Sequence, residues 1–231
     1  MTSPKSASNI DETLQRTRSV IDRVVSDGKV IARSDKSVID IFPVAINAAQ
    51  GKALRDWVIK EKAVHTIEIG LAWGIGALHI CEGLLMSGKD NARHIVIDPF
   101  QAASFKNCGL QLLEEAGVAH LVEHCAEESQ IALPRFVSEG RQFDFAFVDG
   151  SHLFDRVFLD LIYLGRLVRP EGVIFADDYQ APAVAKAVSF CLNNLGWKLE
   201  EKLSLDEHHQ WAVLRTPLKP ISRSYPHFVD F

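Results

Sequence analysis

Glu68-Ile69-Gly70-Leu71-Ala72-Trp73-Gly74 indicates the class of fold to which the sequence belongs. It follows a short apolar run at residues 64–69 and precedes a helical pattern at residues 75–86. In an open α/β sheet, ligands such as nucleotides bind where a glycine turn joins a strand to a helix, because backbone without a Cβ can approach them closely. The stretch therefore predicts an α/β sheet with a ligand site at this turn.

The turn differs from the dinucleotide fingerprint Gly-x-Gly-x-x-Gly, because Ala72 and Ile75 stand at its second and third glycine positions. Glu68, two residues before the first glycine, would repel a pyrophosphate and suits a cationic or zwitterionic ligand. The next apolar strand, at residues 94–97, ends in Asp98, whose carboxylate can accept hydrogen bonds from a ribose diol. These features favour a ribose-bearing ligand without phosphates.

Strand and helix signals alternate from His65 onward, which predicts a parallel sheet with helices on both faces. The predicted strands end near Ile69, Asp98, His124, Asp149 and Asp177. A last pair of strands, at residues 197–205 and 210–215, has so short a connection that the two must be antiparallel. We therefore predict a Rossmann-like, doubly wound α/β sheet of seven strands, with an antiparallel last strand and an N-terminal helical cap.

Composition and charge argue against several classes of partner. A net charge of −5 over 231 residues gives no basic face for nucleic acid. The four cysteines lie far apart without a Cys-x-x-Cys pair, so we expect buried thiols at Cys81 and Cys191 rather than a zinc site. The sequence contains no apolar stretch long enough to span a membrane and no secretory leader. We expect a cytoplasmic protein.

Two further apolar strands end in carboxylates. The strand at residues 143–148 leads into Asp149-Gly150-Ser151-His152, and the strand at residues 173–176 leads into Asp177-Asp178-Tyr179. Adjacent parallel strands end about 5 Å apart, so three carboxylates would meet at one edge of the sheet. Their mutual repulsion raises their pKa values unless a cation neutralises them, and oxygen ligands suit Mg²⁺. The pattern therefore predicts a magnesium site.

The glycine turn resembles the first motif of class I S-adenosylmethionine (SAM) dependent methyltransferases, Glu-x-Gly-x-Gly-x-Gly. Here the motif has Ala72 in place of its middle glycine. The resemblance implies that the turn wraps the methionine part of SAM, that Asp98 holds the ribose, and that Phe100 stacks on adenine. The cofactor-binding residues that it implies are Glu68, Gly70, Leu71, Ala72, Trp73, Gly74, Asp98, Pro99, Phe100, Ala126, Glu127 and Asp149.

The carboxylates are similar to those of the class 24 methyltransferases and of the metal-dependent sugar O-methyltransferases of macrolide pathways. This resemblance spans residues 44–215 and implies that Asp149, Asp177 and Asp178 bind Mg²⁺. His152 stands at the offset from Asp149 where the related catechol O-methyltransferase has its catalytic lysine. The resemblance therefore implies that His152 and Asp149 are catalytic, with His152 as the base, and a pKa near neutrality suits that role.

Plainer interpretations of these residues stay open. Asp178 could cap the helix that begins near Ala181, and His152 could cap the helix that begins near Phe154. Trp73 could pack under the helical cap instead of flanking the cofactor. The two histidines of the loop before the last strand, His208 and His209, are expected to be solvated.

We predict a SAM-dependent methyltransferase that uses Mg²⁺ to methylate a hydroxyl of a small metabolite or sugar. We expect neither nucleic acid nor membrane as partner, and a homodimer is reasonable. An NAD(P)-dependent oxidoreductase is the alternative, since the fold alone does not exclude it. Its Tyr-x-x-x-Lys pair has no close counterpart here, because Tyr179 and Lys186 are seven residues apart. A third possibility is a SAM-binding protein without catalytic activity.

The chain is predicted to have three parts. Residues 1–43 comprise a disordered start, residues 1–9, and an N-terminal helical cap whose first helix stops near Gly28. Residues 44–216 form the SAM-binding methyltransferase domain, beginning with a second helix at residues 45–61. These early helices cover the substrate pocket or make a dimer contact. Residues 217–231 form a tail that packs on the surface without regular structure.

Overall fold

A computed structural model describes residues 4–204 and 209–231, with side chains described from Asn9 onward. Its helices are α1 (Pro4–Asp27), α2 (Ala48–Lys60), α3 (Ile75–Ser87), α4 (Cys108–Ala116), α5 (Ser129–Ser138), α6 (Phe154–Leu167) and α7 (Pro182–Leu195). Its strands are β1 (Lys29–Ile31), β2 (Val38–Asp40), β3 (His65–Ile69), β4 (Arg93–Ile97), β5 (Val122–Cys125), β6 (Phe143–Val148), β7 (Val168–Ala176), β8 (Lys198–Ser204) and β9 (Gln210–Arg215).

The main sheet has seven strands in the order β5-β4-β3-β6-β7-β9-β8. β4 is parallel to β5 and β6 is parallel to β7, whereas β9 runs antiparallel to both β7 and β8. Phe145, Phe147 and Phe175 are at most 1% exposed, as expected for parallel strands covered on both faces. The predicted seven-stranded sheet with its antiparallel last strand is confirmed.

The chain divides into two compact units, and unit 1 comprises residues 1–66 and 71–126. At its centre lies α3, in which every residue from Ile75 to Leu84 is buried. α1 and α2 both pack against α3. The contact with α2 is close, because a Cβ on Gly51 would lie 2.1 Å from the His79 ring. An ion pair between exposed Arg18 and buried Glu82, with Arg18 Nε 2.6 Å from Glu82 Oε1, also joins α1 to α3.

The start of the chain differs from the prediction of disorder over residues 1–9. α1 already begins at Pro4, so that prediction is wrong for residues 4–9, and residues 1–3 lie outside the described part. Residues 4–9 are polar, but adding turns to an existing helix avoids the cost of nucleating a new one. The predicted stop at Gly28 is confirmed, since this residue has a left-handed φ of +64°.

Unit 2 comprises residues 67–70 and 127–231. Its helix α6 buries Asp160, which is 2% exposed and whose Oδ1 has no hydrogen-bond partner among the described residues. Burial raises the pKa of this carboxyl to about 6, although a hydrogen bond from Ser129 and the charge of Arg156 act against the rise.

The tail from residue 217 onward has no regular secondary structure, as predicted. It is nevertheless attached to α7. Asn194 Nδ2 donates to Val229 O at 2.8 Å, and Val229 N donates back to Asn194 Oδ1 at 2.8 Å. Because Asn194 is only 1% exposed, this pair of hydrogen bonds is shielded from water.

All four cysteines are buried and none is in a disulfide, which confirms the buried thiols predicted at Cys81 and Cys191. Within residues 4–204 and 209–231, no helix is both long enough and apolar enough to cross a membrane.

Candidate active site

The first glycine of the turn is fitted against the loop that follows β6. Gly70 has a φ of +92°, and a Cβ at this position would lie 2.1 Å from Asp149 O. Asp149 N in turn donates a hydrogen bond to Ile69 O at 2.9 Å. Both the backbone conformation and the close approach require glycine at position 70.

In unit 1, the turn is held by the carboxylate of Asp98. Its Oδ2 accepts from Leu71 N at 3.2 Å and from Ala72 N at 3.0 Å, while Oδ1 accepts from Phe100 N at 2.8 Å. Gln101 Nε2 also donates to Oδ2, at 2.7 Å. Asp98 is 4% exposed, so its carboxylate anchors the turn. Its contact with a ribose stays a prediction, and a ribose hydroxyl would have to share these oxygens.

The end of the turn lies against the first turn of α4. A Cβ on Gly74 would be 3.0 Å from Gly109 O, and a Cβ on Gly109 would be 2.7 Å from Ala72 O. Gly74 is the N-cap of α3 and provides no side-chain acceptor for the first N–H groups of that helix. These N–H groups suit a negatively charged group of a ligand. Sequence reasoning missed both Gln101 and Gly109, which lie outside the glycine motif.

The other residues assigned to the cofactor have different environments. Trp73 is 6% exposed and packs edge-on against Phe105 at 5.0 Å between ring centroids, while Phe100 is 52% exposed. Leu71 and Glu68 are buried, Pro99 is half-buried, and Ala126 and Glu127 are exposed. Glu127 also forms an ion pair with Arg135 at 2.7 Å. The contacts of this set with SAM stay predictions.

Three side chains after β6 and β7 form a cluster in unit 2. The ligand atoms of Asp149, His152 and Asp178 all lie within 4.8 Å of one another. His152 Nε2 is 2.8 Å from Asp178 Oδ2 and 4.0 Å from Asp149 Oδ1. Asp177 is 7% exposed and is not a member of this group of ligand atoms. Its predicted role as a metal ligand therefore stays a prediction.

The cluster concentrates negative charge. Burial raises the pKa of Asp149 well above its ordinary value, and the charges of Asp177, Asp178 and Glu68 raise it further. The hydrogen bond between His152 and Asp178 raises the pKa of the imidazole and lowers that of the Asp178 carboxyl. A divalent cation would relieve the repulsion at Asp149, so the donor set fits the predicted metal.

The structure does not support the plainer roles considered for this cluster. Neither α6 nor α7 has a side-chain hydrogen bond at its N-cap, which is Leu153 for α6 and Ala181 for α7. His152 and Asp178 therefore do not cap these helices. His209 is exposed, as expected, but its charge also contributes to lowering the pKa of Asp178. His208 lies outside the described residues.

Comparisons with known proteins agree with this fold. A family model for class 24 methyltransferases, described as a methyltransferase domain, matches residues 67–179. This region contains the glycine turn, Asp98 and the cluster of Asp149, His152 and Asp178. This part of the chain is therefore similar to the methyltransferase domain of the class 24 type.

Solved structures share the fold at low sequence identity. The O-methyltransferase TomG from Streptomyces achromogenes, involved in tomaymycin synthesis and solved with SAM, has a TM-score of 0.64 at 20% identity, over 89% of this chain and 90% of TomG. An O-methyltransferase from Bacillus cereus, solved with SAH, has a TM-score of 0.66 at 16% identity, over 89% of this chain and 90% of its own. The SAH-bound Podospora anserina methyltransferase PaMTH1 has a TM-score of 0.63 at 14% identity, over 94% and 97%. A search of curated protein sequences finds no significant match.

Proposed function

We propose that the protein methylates a hydroxyl group of a small metabolite or sugar and that a divalent cation, Mg²⁺ in the first instance, assists the reaction. One observation carries the proposal, namely the cluster of Asp149, His152 and Asp178, whose ligand atoms lie within 4.8 Å of one another. The similar folds of TomG and the Bacillus cereus enzyme, both described as O-methyltransferases, support a hydroxyl as the acceptor.

The cofactor would be held by the glycine turn. When bound, SAM supplies an electrophilic methyl group on a sulfonium centre. The uncapped N–H groups at the start of α3, next to Gly74, suit its carboxylate. Exposed Phe100, which follows the anchored Asp98, offers a ring face for adenine. Asp98 orders the glycine turn in the ligand-free protein, so little of the free energy of SAM binding would be needed to order it.

His152 would accept the proton of the acceptor hydroxyl. Its Nε2 is paired with Asp178 Oδ2 at 2.8 Å, which orients the ring and stabilises the imidazolium that forms on proton transfer. In that arrangement Asp178 acts through His152, and it is a positioning residue for the base.

A cation at the cluster would be held by Asp149 and Asp178, with Asp177 as a further carboxylate close by. Bound there, it would lower the pKa of the acceptor hydroxyl. The protein's own contribution is to collect carboxylates whose repulsion, seen in the raised pKa of Asp149, favours cation binding. The protein would further contribute to the reaction by positioning the reactants and neutralising charge.

Calorimetry tests the class of ligand first. The purified protein is titrated with SAM and with NADH, each with and without Mg²⁺. We expect micromolar affinity for SAM and no response to NADH. Binding of NADH without binding of SAM would favour the oxidoreductase and overturn the proposal. Binding of SAM without turnover on any hydroxylated acceptor would favour a SAM-binding protein without catalytic activity.

Asp149→Asn tests the cation. We expect this variant to lose turnover and Mg²⁺ binding while its SAM affinity and unfolding midpoint are not lowered, because the substitution removes only repulsive charge. Asp155→Asn, which neutralises an exposed carboxylate on α6, is the matched control and should keep full activity. Full activity of Asp149→Asn in the presence of EDTA would show that the cation mechanism is wrong.

We also propose that the protein acts in the cytoplasm, which suits four cysteines that form no disulfide, and that it forms a homodimer through its N-terminal helices. Light scattering over a range of protein concentrations measures the mass of the particle. A mass of one chain at all concentrations would overturn the dimer.

A further inference from the structure

We propose that Gln101 is a positioning residue that holds Ala72 of the glycine turn in a left-handed conformation and so keeps the turn shaped for SAM. The inference rests on the proposed function, because SAM is the ligand for which the turn would be shaped. All the contacts that carry it lie within unit 1.

Ala72 adopts a conformation that alanine does not favour. Its φ is +45°, between Gly70 at +92° and Gly74 at +83°. In this region the Cβ of any residue except glycine crowds the following carbonyl oxygen. Glycine would adopt the conformation without cost, whereas alanine leaves it unless neighbouring groups hold it there.

Hydrogen bonds hold both peptide groups of Ala72. Both φ and ψ of a residue lie between its N–H and its C=O, so hydrogen bonds to both groups restrain the two dihedrals together. Ala72 N donates to Asp98 Oδ2 at 3.0 Å, and Ala72 O accepts from Gln101 Nε2 at 2.8 Å. Gln101 Nε2 donates its second hydrogen to Asp98 Oδ2 at 2.7 Å, which closes a ring of hydrogen bonds around the residue.

The orientation of the Gln101 amide is set by these acceptors. Its nitrogen faces two oxygens, and a flipped amide would place its oxygen against both of them. Its own Oε1 has no hydrogen-bond partner among the described residues, although Gln101 is only 1% exposed. A side chain that leaves a buried oxygen unpaired while donating to Ala72 O and to the Asp98 carboxylate is positioned by those two hydrogen bonds.

The test compares Gln101→Leu, Ala72→Gly and the double variant with the wild type. SAM affinity is measured by calorimetry, and amide exchange at position 72 is measured in the ligand-free proteins. We expect Gln101→Leu to bind SAM about ten-fold more weakly, the value of roughly one buried hydrogen bond, and to exchange faster at position 72. Ala72→Gly alone should stay within about three-fold of wild type, whereas in the Gln101→Leu background it should restore most of the affinity.

Gln111→Leu is the matched control. Gln111 also binds two main-chain groups, since it accepts from Arg33 N at 2.8 Å and donates to Ile31 O at 3.0 Å, and both of these groups lie outside the glycine turn. We expect this variant to lose stability and to keep wild-type SAM affinity and exchange at position 72.

Two results would overturn the inference. One is wild-type SAM affinity in Gln101→Leu, and the other is a loss of affinity that Ala72→Gly does not restore, since Gln101 would then act in another way. If the wild type itself fails to bind SAM, the proposed function fails. Amide exchange at position 72 still tests whether Gln101 holds Ala72 in place in that case. Faster exchange in Gln101→Leu than in the wild type supports this role, and unchanged exchange excludes it.

Discussion

Replacing the buried Asp160 by asparagine should stabilise the protein, and the gain should depend on pH. The carboxyl is 2% exposed, and burial raises its pKa from the ordinary 3.8 to about 6. A rise of about 2 in pKa corresponds to about 3 kcal/mol of free energy between the two protonation states. Above pH 6 the folded protein therefore holds a buried charge that destabilises it by up to about this amount.

The direction in which the free energy of unfolding changes with pH follows from proton binding to Asp160. Between about pH 4 and pH 6 the folded protein binds the Asp160 proton and the unfolded chain has released it, so the free energy of unfolding falls as pH rises through this window. Below it both states are protonated, and above it both are charged, so the contribution is then constant. Asp160→Asn removes this dependence. Because the buried amide lacks a full set of partners at every pH, the variant should be about 1 kcal/mol less stable than the wild type near pH 4 and about 2 kcal/mol more stable at pH 8.

Urea unfolding of the wild type and of Asp160→Asn, at steps of half a pH unit from pH 4 to pH 8, measures the difference between their free energies of unfolding. Asp155→Asn, an exposed carboxylate in the first turn of the same helix, serves as control and should be slightly less stable at every pH, because it loses a favourable interaction with the helix dipole. The reasoning is refuted if Asp160→Asn is less stable than wild type at pH 8, or if the difference between them is the same at pH 4.5 and pH 8.

Two further predictions concern packing. Gly70→Ala should lower the free energy of unfolding by about 3–5 kcal/mol, because its Cβ would lie 2.1 Å from Asp149 O. Gly88 also has a positive φ, but no atom lies within 4 Å of its Cβ position, so Gly88→Ala should lower it by only about 1 kcal/mol. Equal losses for the two variants in urea unfolding would contradict this. Asn194→Ala should release the C-terminal tail from α7, lower the free energy of unfolding by about 2 kcal/mol and speed amide exchange at Val229. Unchanged exchange at Val229 would contradict the attachment of the tail to α7.

The sequence contained enough information to predict the order of strands and helices. Apolar runs that end in Asp98, Asp149 and Asp177 are the signature of strands in a parallel sheet, and each of those strands is present. The hairpin of β1 and β2 was not predicted, because each strand has only three residues and no alternating pattern can be read over so short a length.

The candidate site was predicted less completely than the fold. Residue type and position after a strand indicate that Asp149 and Asp178 lie near one another, but they do not show which atoms meet. The pairing of His152 with Asp178, and the use of the Asp98 carboxylate by the turn itself, depend on side-chain directions that no local pattern encodes. Gln101 carries no sequence signal, because a glutamine four residues after the end of a strand is usually solvated.

The burial of α3 restricts which substitutions the N-terminal part of the chain can accept. A helix with ten consecutive buried residues has no side left for solvent, so α1 and α2 form part of its surroundings rather than a detachable module. The same helix begins at Ile75, directly after Gly74, the last residue of the glycine turn. Replacement of the first 60 residues by those of another protein of this fold would therefore disturb the glycine turn, and variation of this region in evolution is expected to proceed together with compensating changes along α3.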